Sequence, residues 1–132
     1  MNTNEHQLPI RKYDIYERIF KFVVGVIRLT RLLPKTEENK VVVGQLLRSV
    51  TSMGANSEEA DGVSTMKDFV HNFTTVRKEG KESIYWLKLL YELNNGVRER
   101  IIILINEGRE IVAIVSKIIS NSRHKYSSLK KI

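Results

Sequence analysis

The stretch MKDFVHNFTTVRKEGKESIYWLKLL (residues 66–90) sets Met66, Phe69, Phe73, Val76, Gly80, Ser83, Leu87 and Leu90 at alternating steps of three and four. A mean step near 3.5 is the spacing of a helix that lays one ridge against its neighbours at a shallow angle. Three further stretches keep the same beat: Ile15, Ile19, Phe22, Val26, Leu29, Leu33; Val43, Leu46, Val50, Met53, Ser57, Ala60; and Val97, Ile101, Leu104, Gly108, Ile111, Val115, Ile118. Four such stripes predict an all-α protein, an antiparallel up-down-up-down four-helix bundle.

Local signals place the ends of the helices. Asp14 with Glu17 reads as a capping-box-like start for helix 1, and Pro34 stops that helix. Thr36 reads as the N-cap of helix 2, with Gly62 ending it in the left-handed conformation. Ser64 or Thr65 caps helix 3, and Thr65 with Asp68 resembles a capping box. Asn94-Asn95-Gly96 is a tight-turn signal, after which helix 4 covers about 97–122. The expected organisation is a flexible N-terminal arm over 1–12, the bundle over 13–122 and a basic C-terminal tail over 123–132.

A chain of 132 residues can bury a working core without staples. Cysteine is absent, which excludes disulfides and thiolate metal sites and suits a reducing cytoplasm. No apolar h-region opens the chain, and the longest purely apolar run, Ile101–Ile105, is far short of the ~20 residues that span a bilayer. A soluble, cytoplasmic protein away from any membrane is the expectation. The formal charge of +7 is uneven: residues 1–34 carry +3, residues 35–110 carry −1 and residues 111–132 carry +5. Basic ends attract phosphates through counterion release, although a solvated tail explains the same asymmetry.

Gly80 and Gly108 fall on the inward seams of helices 3 and 4, which predicts a close contact between those helices near mid-bundle. Helix 4 is apolar beyond its seam at Ile102, Ile103, Ile105, Val112, Ile114 and Ile119, and helix 1 at Phe20, Val23, Val24 and Ile27. Surplus apolar surface covers a second copy or another partner, or else fills a wide core.

The search for chemistry comes back empty. His6, His71 and His124 lie on three separate segments, and no His-Glu-x-x-His or Glu-x-x-His pattern is present. No glycine-rich loop precedes a helix, and Ser52, Ser57 and Ser83 have no base within two turns. Glu58, Glu59 and Asp61 read as a solvated acidic end to helix 2. The expectation is therefore no catalytic residue, no metal and no cofactor. What stands out is a polar stripe on helix 2, Gln45, Arg48, Ser52, Asn56 and Glu59, which share one face. Helix 3 adds Arg77-Lys78-Glu79-Gly80-Lys81-Glu82, in which Lys78 and Glu82 are spaced to pair. Tyr85-Trp86 supplies aromatic area that either anchors an interface or packs on the bundle.

At these residues the chain resembles the family of four-helix-bundle proteins encoded by intervening sequences of bacterial 23S rRNA. The helix 2 pattern is matched by Gln45-Leu46-Leu47-Arg48, Ser52 and Ala55-Asn56-Ser57-Glu58-Glu59-Ala60. The helix 3 pattern is matched by Lys67-Asp68-Phe69-Val70-His71, Lys78-Glu79-Gly80-Lys81-Glu82 and Tyr85-Trp86-Leu87. Met53-Gly54 replaces an apolar-Pro step, and Gly80 stands where Ala is common. The resemblance implies a bundle that assembles as a ring-shaped homopentamer. One branch of the family resembles the accessory protein of diversity-generating retroelements, a basic pentamer that binds nucleic acid and works with a reverse transcriptase.

The expected function is a non-enzymatic, self-associating bundle that binds RNA or DNA weakly and without sequence preference. Phosphate contacts are expected from Arg11, Lys12, Arg18 and Lys21 near one terminus and from Lys117, Arg123, Lys125, Lys130 and Lys131 near the other. An antiparallel bundle brings both termini to one pole. The alternative is a protein-interaction adaptor that presents Gln45, Arg48, Ser52, Asn56, Glu59, Lys78, Glu79, Glu82, Tyr85 and Trp86 to a partner such as a polymerase.

Overall fold

A computed structural model describes residues 10–130, with side chains over 15–125 and at 127. It contains α1 (Ile10–Thr30), α2 (Glu37–Gly62), α3 (Met66–Leu93) and α4 (Arg98–Lys130), with one 3-10 turn at Asn95–Val97. No strand occurs among the described residues. Each helix packs on its two neighbours in the cycle α1, α2, α3, α4, and the α2–α3 and α3–α4 seams are the most extensive.

The periodic stripes build the core. Every member of the α1 set is buried, and so are Phe73, Val76, Leu87 and Leu90 of α3 and Ile101, Ile111 and Val115 of α4. On α2 the seam is shifted by one residue at its start. Val42 is buried where Val43 was expected, and Val43 packs against the core from its edge. The reason is visible one turn earlier: Asn39, on the same side as Val42 and Leu46, is drawn inward by hydrogen bonds.

Two caps form as their chemistry dictates. Thr36 Oγ1 accepts from the Asn39 amide at 3.1 Å, and Thr65 Oγ1 accepts from the Asp68 amide at 3.1 Å. Each satisfies one of the amides that a helix start leaves without a partner. Other boundaries differ from expectation. Helix α1 begins at Ile10, a turn before Asp14, because Ile10-Arg11-Lys12-Tyr13 contains no helix breaker. Gly62 is not left-handed, and no glycine among the described residues has positive φ. Instead Val63 is extended, handing the chain directly to the extended cap Thr65. Asn94 is extended too, and Asn95–Val97 makes a single 3-10 turn in place of a tight reverse turn. Residues 123–130, expected as a tail, continue α4, since no Gly or Pro follows Gly108 to stop it.

The helices come close where side chains are missing. A β-carbon on Gly80 would meet Val112 Cγ2 at 3.0 Å and Met53 Cε at 3.1 Å, and one on Gly108 would meet Ile84 Cγ1 and Phe22 Cζ, both at 3.1 Å. The expected α3–α4 approach is present, and each glycine also receives a side chain from a third helix. Gly54 faces Val23 in the same way, and Gly25 faces Leu104. Residue numbers run in opposite senses across these contacts, as in Gly25 to Leu104 and Phe22 to Gly108.

The surplus apolar residues divide. Ile105 and Ile119 belong to the core, whereas Phe20 is 67% exposed, Ile103 66% and Ile102 38%. Val23, Val24, Ile27, Val112 and Ile114 are half-buried.

Gly80→Leu is expected to lower the melting temperature by several degrees, since overpacking a tight core costs about 1–3 kcal/mol. Thermal unfolding followed by circular dichroism measures it, and an unchanged melt contradicts the close approach.

Candidate functional site

The polar residues of α2 and α3 form a ladder between these helices. Where α2 begins and α3 ends, the buried amides Asn39 and Asn94 bond to each other twice, Asn39 Nδ2 donating to Asn94 Oδ1 at 2.8 Å and Asn94 Nδ2 to Asn39 Oδ1 at 2.9 Å. Asn39 Nδ2 also donates to the Pro34 carbonyl at 2.8 Å, and Asn94 Nδ2 to the Leu90 carbonyl at 3.1 Å. In the middle, the fully buried hydroxyls of Ser49 and Ser83 lie 2.8 Å apart. Ser83 donates back to the Glu79 carbonyl at 2.8 Å and can accept from Ser49, so neither hydroxyl is left unsatisfied.

Beside the serines sits a charged cluster. Arg48 Nη2 is hydrogen-bonded to Glu82 Oε2, and the same oxygen accepts from Trp86 Nε1 at 3.1 Å. Arg48 Nη1 lies 3.8 Å from Glu79 Oε1, which attracts the carboxylate without hydrogen-bonding it. Glu79 is 9% exposed, and its Oε1 has no hydrogen-bond partner. Arg48 therefore supplies the positive charge that compensates two carboxylates on α3. The expected Lys78–Glu82 pair does not form, because Glu82 turns toward α2 and Arg48.

The rest of the predicted polar stripe is less engaged. Asn56 donates to the Ser52 carbonyl at 2.9 Å and stays within its own helix. Gln45, Glu59 and Lys78 are exposed. Trp86 packs against the core, while Tyr85 stands 52% exposed with its ring 5.0 Å from Trp86, edge to face.

The predicted phosphate contacts fare unequally. Arg18 is held across the α1–α4 seam by Glu107, through Nε at 3.0 Å and Nη2 at 2.7 Å, and by Glu110 at 2.8 Å. Those hydrogen bonds, Glu107 first, hold its guanidinium even more firmly protonated than usual. Arg18 is thus engaged by two carboxylates of α4. Lys21 is exposed and 3.5 Å from Glu17. Lys117, Arg123 and Lys125 are exposed and form no ion pair among the described residues. The side chains of Arg11, Lys12 and Lys130, and the whole of Lys131, lie outside what the structure describes.

A cleft of about 710 Å³ opens at the pole where α1 approaches the late turns of α4, lined by Tyr16, Asp61, Phe69, Phe73, Ile118 and Lys125 among others. Burial, reinforced by Asp61 and Glu58, pushes the Tyr16 phenol above its ordinary pKa. The pole where basic ends were expected to pool thus carries acids from α2 as well. Among the described residues there is no group of His, Asp or Glu able to hold a metal, and no helix is long and apolar enough to cross a membrane.

Arg18, Arg48 and Ser52 were named from sequence, but the partners that give Arg18 and Arg48 their roles were not all foreseen. Asn39, Ser49 and Asn94 were missed. A signal was available for two of them, since Asn39 and Ser49 fall on the same three-and-four stripe as Val42, Leu46 and Met53.

The family model for 23S rRNA-intervening sequence protein matches residues 11–117. Among solved structures, the chain is similar to a protein of unknown function from the S23 ribosomal protein family of Bacteroides thetaiotaomicron. The two share 31% identity with a TM-score of 0.72, over 80% of this chain and 97% of that one. No curated protein matches the chain.

Two outcomes are expected. Arg48→Met strands Glu79 and costs about 1–3 kcal/mol, part of which Glu79→Gln restores in the same background. A urea-denaturation double-mutant cycle reads the coupling, and strict additivity of the two changes contradicts it. Separately, the raised Tyr16 pKa makes the unfolded chain lose its proton first. Its contribution to stability is full below about pH 10 and falls as pH rises through the folded value. Alkaline denaturation curves of Tyr16→Phe should be flatter than those of the parent.

Proposed function

The chain belongs to the 23S rRNA-intervening sequence protein family, and from that premise we propose that it is a non-enzymatic bundle that self-associates and binds nucleic acid through its phosphates. The observation that carries the reading is the imbalance of satisfied charges. Arg18, Arg48 and Arg98 are engaged by carboxylates, yet Lys117, Arg123 and Lys125 are exposed on the later turns of α4 and form no ion pair among the described residues. With a formal charge of +7, that end offers phosphates a set of uncommitted cations. Phosphate contacts alone carry no sequence information, so little base preference is expected.

Self-association is supported by the two most exposed apolar residues of the surplus set, Phe20 and Ile103, on the outer surfaces of α1 and α4. The five-membered ring implied by the family resemblance is the assembly proposed. Arg48, Glu79 and Glu82 of the α2–α3 face are engaged with one another inside the subunit, which leaves a polymerase or other protein partner fewer groups to recognise.

Light scattering after size exclusion is expected to give about five times the 15.3 kDa of one chain, and Phe20→Glu is expected to reduce that mass. Added RNA should co-elute at about 50 mM salt and separate by about 200 mM, as counterion release demands. A monomer, or RNA retention indifferent to salt, contradicts the proposal.

A further inference from the structure

The outward face of α3 carries a row of four lysines, with one histidine and one tyrosine among them, that the terminal segments do not include. Lys67, His71, Lys78, Lys81, Tyr85 and Lys88 follow one another at steps of four, seven, three, four and three. Those steps keep them on one stripe, on the side of α3 opposite Val76, Gly80, Ser83 and Leu87. All six are exposed. From Lys67 to Lys88 the stripe is roughly 31 Å long at the α-helical rise.

The stripe is positive as far as Lys88 because the acids beside its central lysines turn toward α2. Glu79 is buried there and Glu82 is bound by Arg48 and Trp86, while Glu92, in the last turn of α3, lines the α3–α4 groove next to Lys88 and lies 3.8 Å from Arg98. Asp68 lies in the first turn, off the stripe. None of the four lysines has a carboxylate within ion-pair distance among the described residues. Near the far end Tyr85 stands 52% exposed, its ring steadied by the edge-to-face contact with Trp86. Lys88 and Arg109 flank it along a shallow groove of about 320 Å³ between α3 and α4.

A linear run of unpaired lysines with an exposed aromatic ring beside it combines the two elements of a single-strand binding track. The cations follow the backbone and the ring stacks on an unpaired base. We infer that the outer face of α3 is a second nucleic-acid contact, separate from the end of α4, and that its ligand is a single strand lying along Lys78, Lys81 and Lys88 with a base on Tyr85. This rests on the nucleic-acid reading above. Arg48 then acts at a distance: by drawing Glu82 and Glu79 toward α2, it keeps carboxylates off the track.

The test is fluorescence anisotropy of the full chain with a labelled single strand of about 16 nucleotides, titrated between about 50 and 200 mM salt. The triple variant Lys78→Gln, Lys81→Gln, Lys88→Gln is expected to make the slope of log K against log salt shallower by about 2. Lys81→Gln alone should shift it by about 0.7, and serves if the triple variant does not melt cooperatively. Tyr85→Ala should weaken the single strand roughly tenfold and leave a duplex unaffected. A second triple variant, Lys117→Gln, Arg123→Gln, Lys125→Gln, should leave the contribution of the α3 stripe in place. If that variant abolishes binding while the α3 variants match the parent, the α3 track is overturned and the broader reading stands. Equal weakening of single strand and duplex by Tyr85→Ala overturns the stacking role and with it the single-strand assignment. If the parent binds no nucleic acid, both fall.

Discussion

The contact between α3 and α4 depends on two positions that have no side chain. Gly80 and Gly108 let Val112 and Ile84 reach across the seam, and the same absences admit Met53 from α2 and Phe22 from α1. All four helices therefore meet at one level of the bundle, around a pair of backbones brought close together. An interior glycine lowers helix stability by about 1 kcal/mol relative to alanine. The large buried side chains it admits offset that cost, since Phe22 and Met53 leave the solvent almost completely. The closeness also fixes α3 rotationally, with Glu79, Ser83 and Trp86 toward α2 and the lysine row toward solvent.

That rotation sorts the charges of α3. Its carboxylates and lysines are interleaved along the chain, at spacings that would let them neutralise one another on an isolated helix. Packing prevents this at mid-helix by turning Glu79 and Glu82 to the α2 seam, where Arg48 meets them. The helix is nearly neutral in sequence and polarised in the fold. Arg18 shows the opposite arrangement on α1, where a cation is gathered inward by Glu107 and Glu110. Formal charge by segment thus describes poorly what an approaching phosphate encounters.

The distinction between packing and pairing also explains what could be read from sequence. The four stripes identified the helices and most of the core, because burial follows a period that the chain states directly. Thr36 and Thr65 identified two helix starts through a local hydrogen bond that involves only neighbouring residues. The links among polar groups were much less legible. Asn39 with Asn94, Ser49 with Ser83 and Arg18 with Glu107 are separated by 55, 34 and 89 residues, and no period connects the two members of a pair. Arg48 and Glu82 were each identified, but Lys78 was the nearer choice of partner. The surplus on α4 misled in part for a related reason: Ile105 and Ile119 extend a core wider than a single seam, so apolar excess did not by itself measure exposed surface. Gly62 and Asn94 misled because two linkers solve their geometry with extended residues in place of left-handed ones.

The mutual amide bridge between Asn39 and Asn94 behaves as a key in a lock. Both groups are dry, each is donor and acceptor to the other, and the match exists in one alignment of α2 against α3. Sliding either rod by a turn would set polar amides against Val42 or Leu90 and strand them away from water. The hydrophobic ridges, which repeat every heptad, tolerate such slippage far better than this pair does. An apolar substitute at both sites would leave the alignment of the rods to the Ser49–Ser83 link and the fit of Met53 against Gly80.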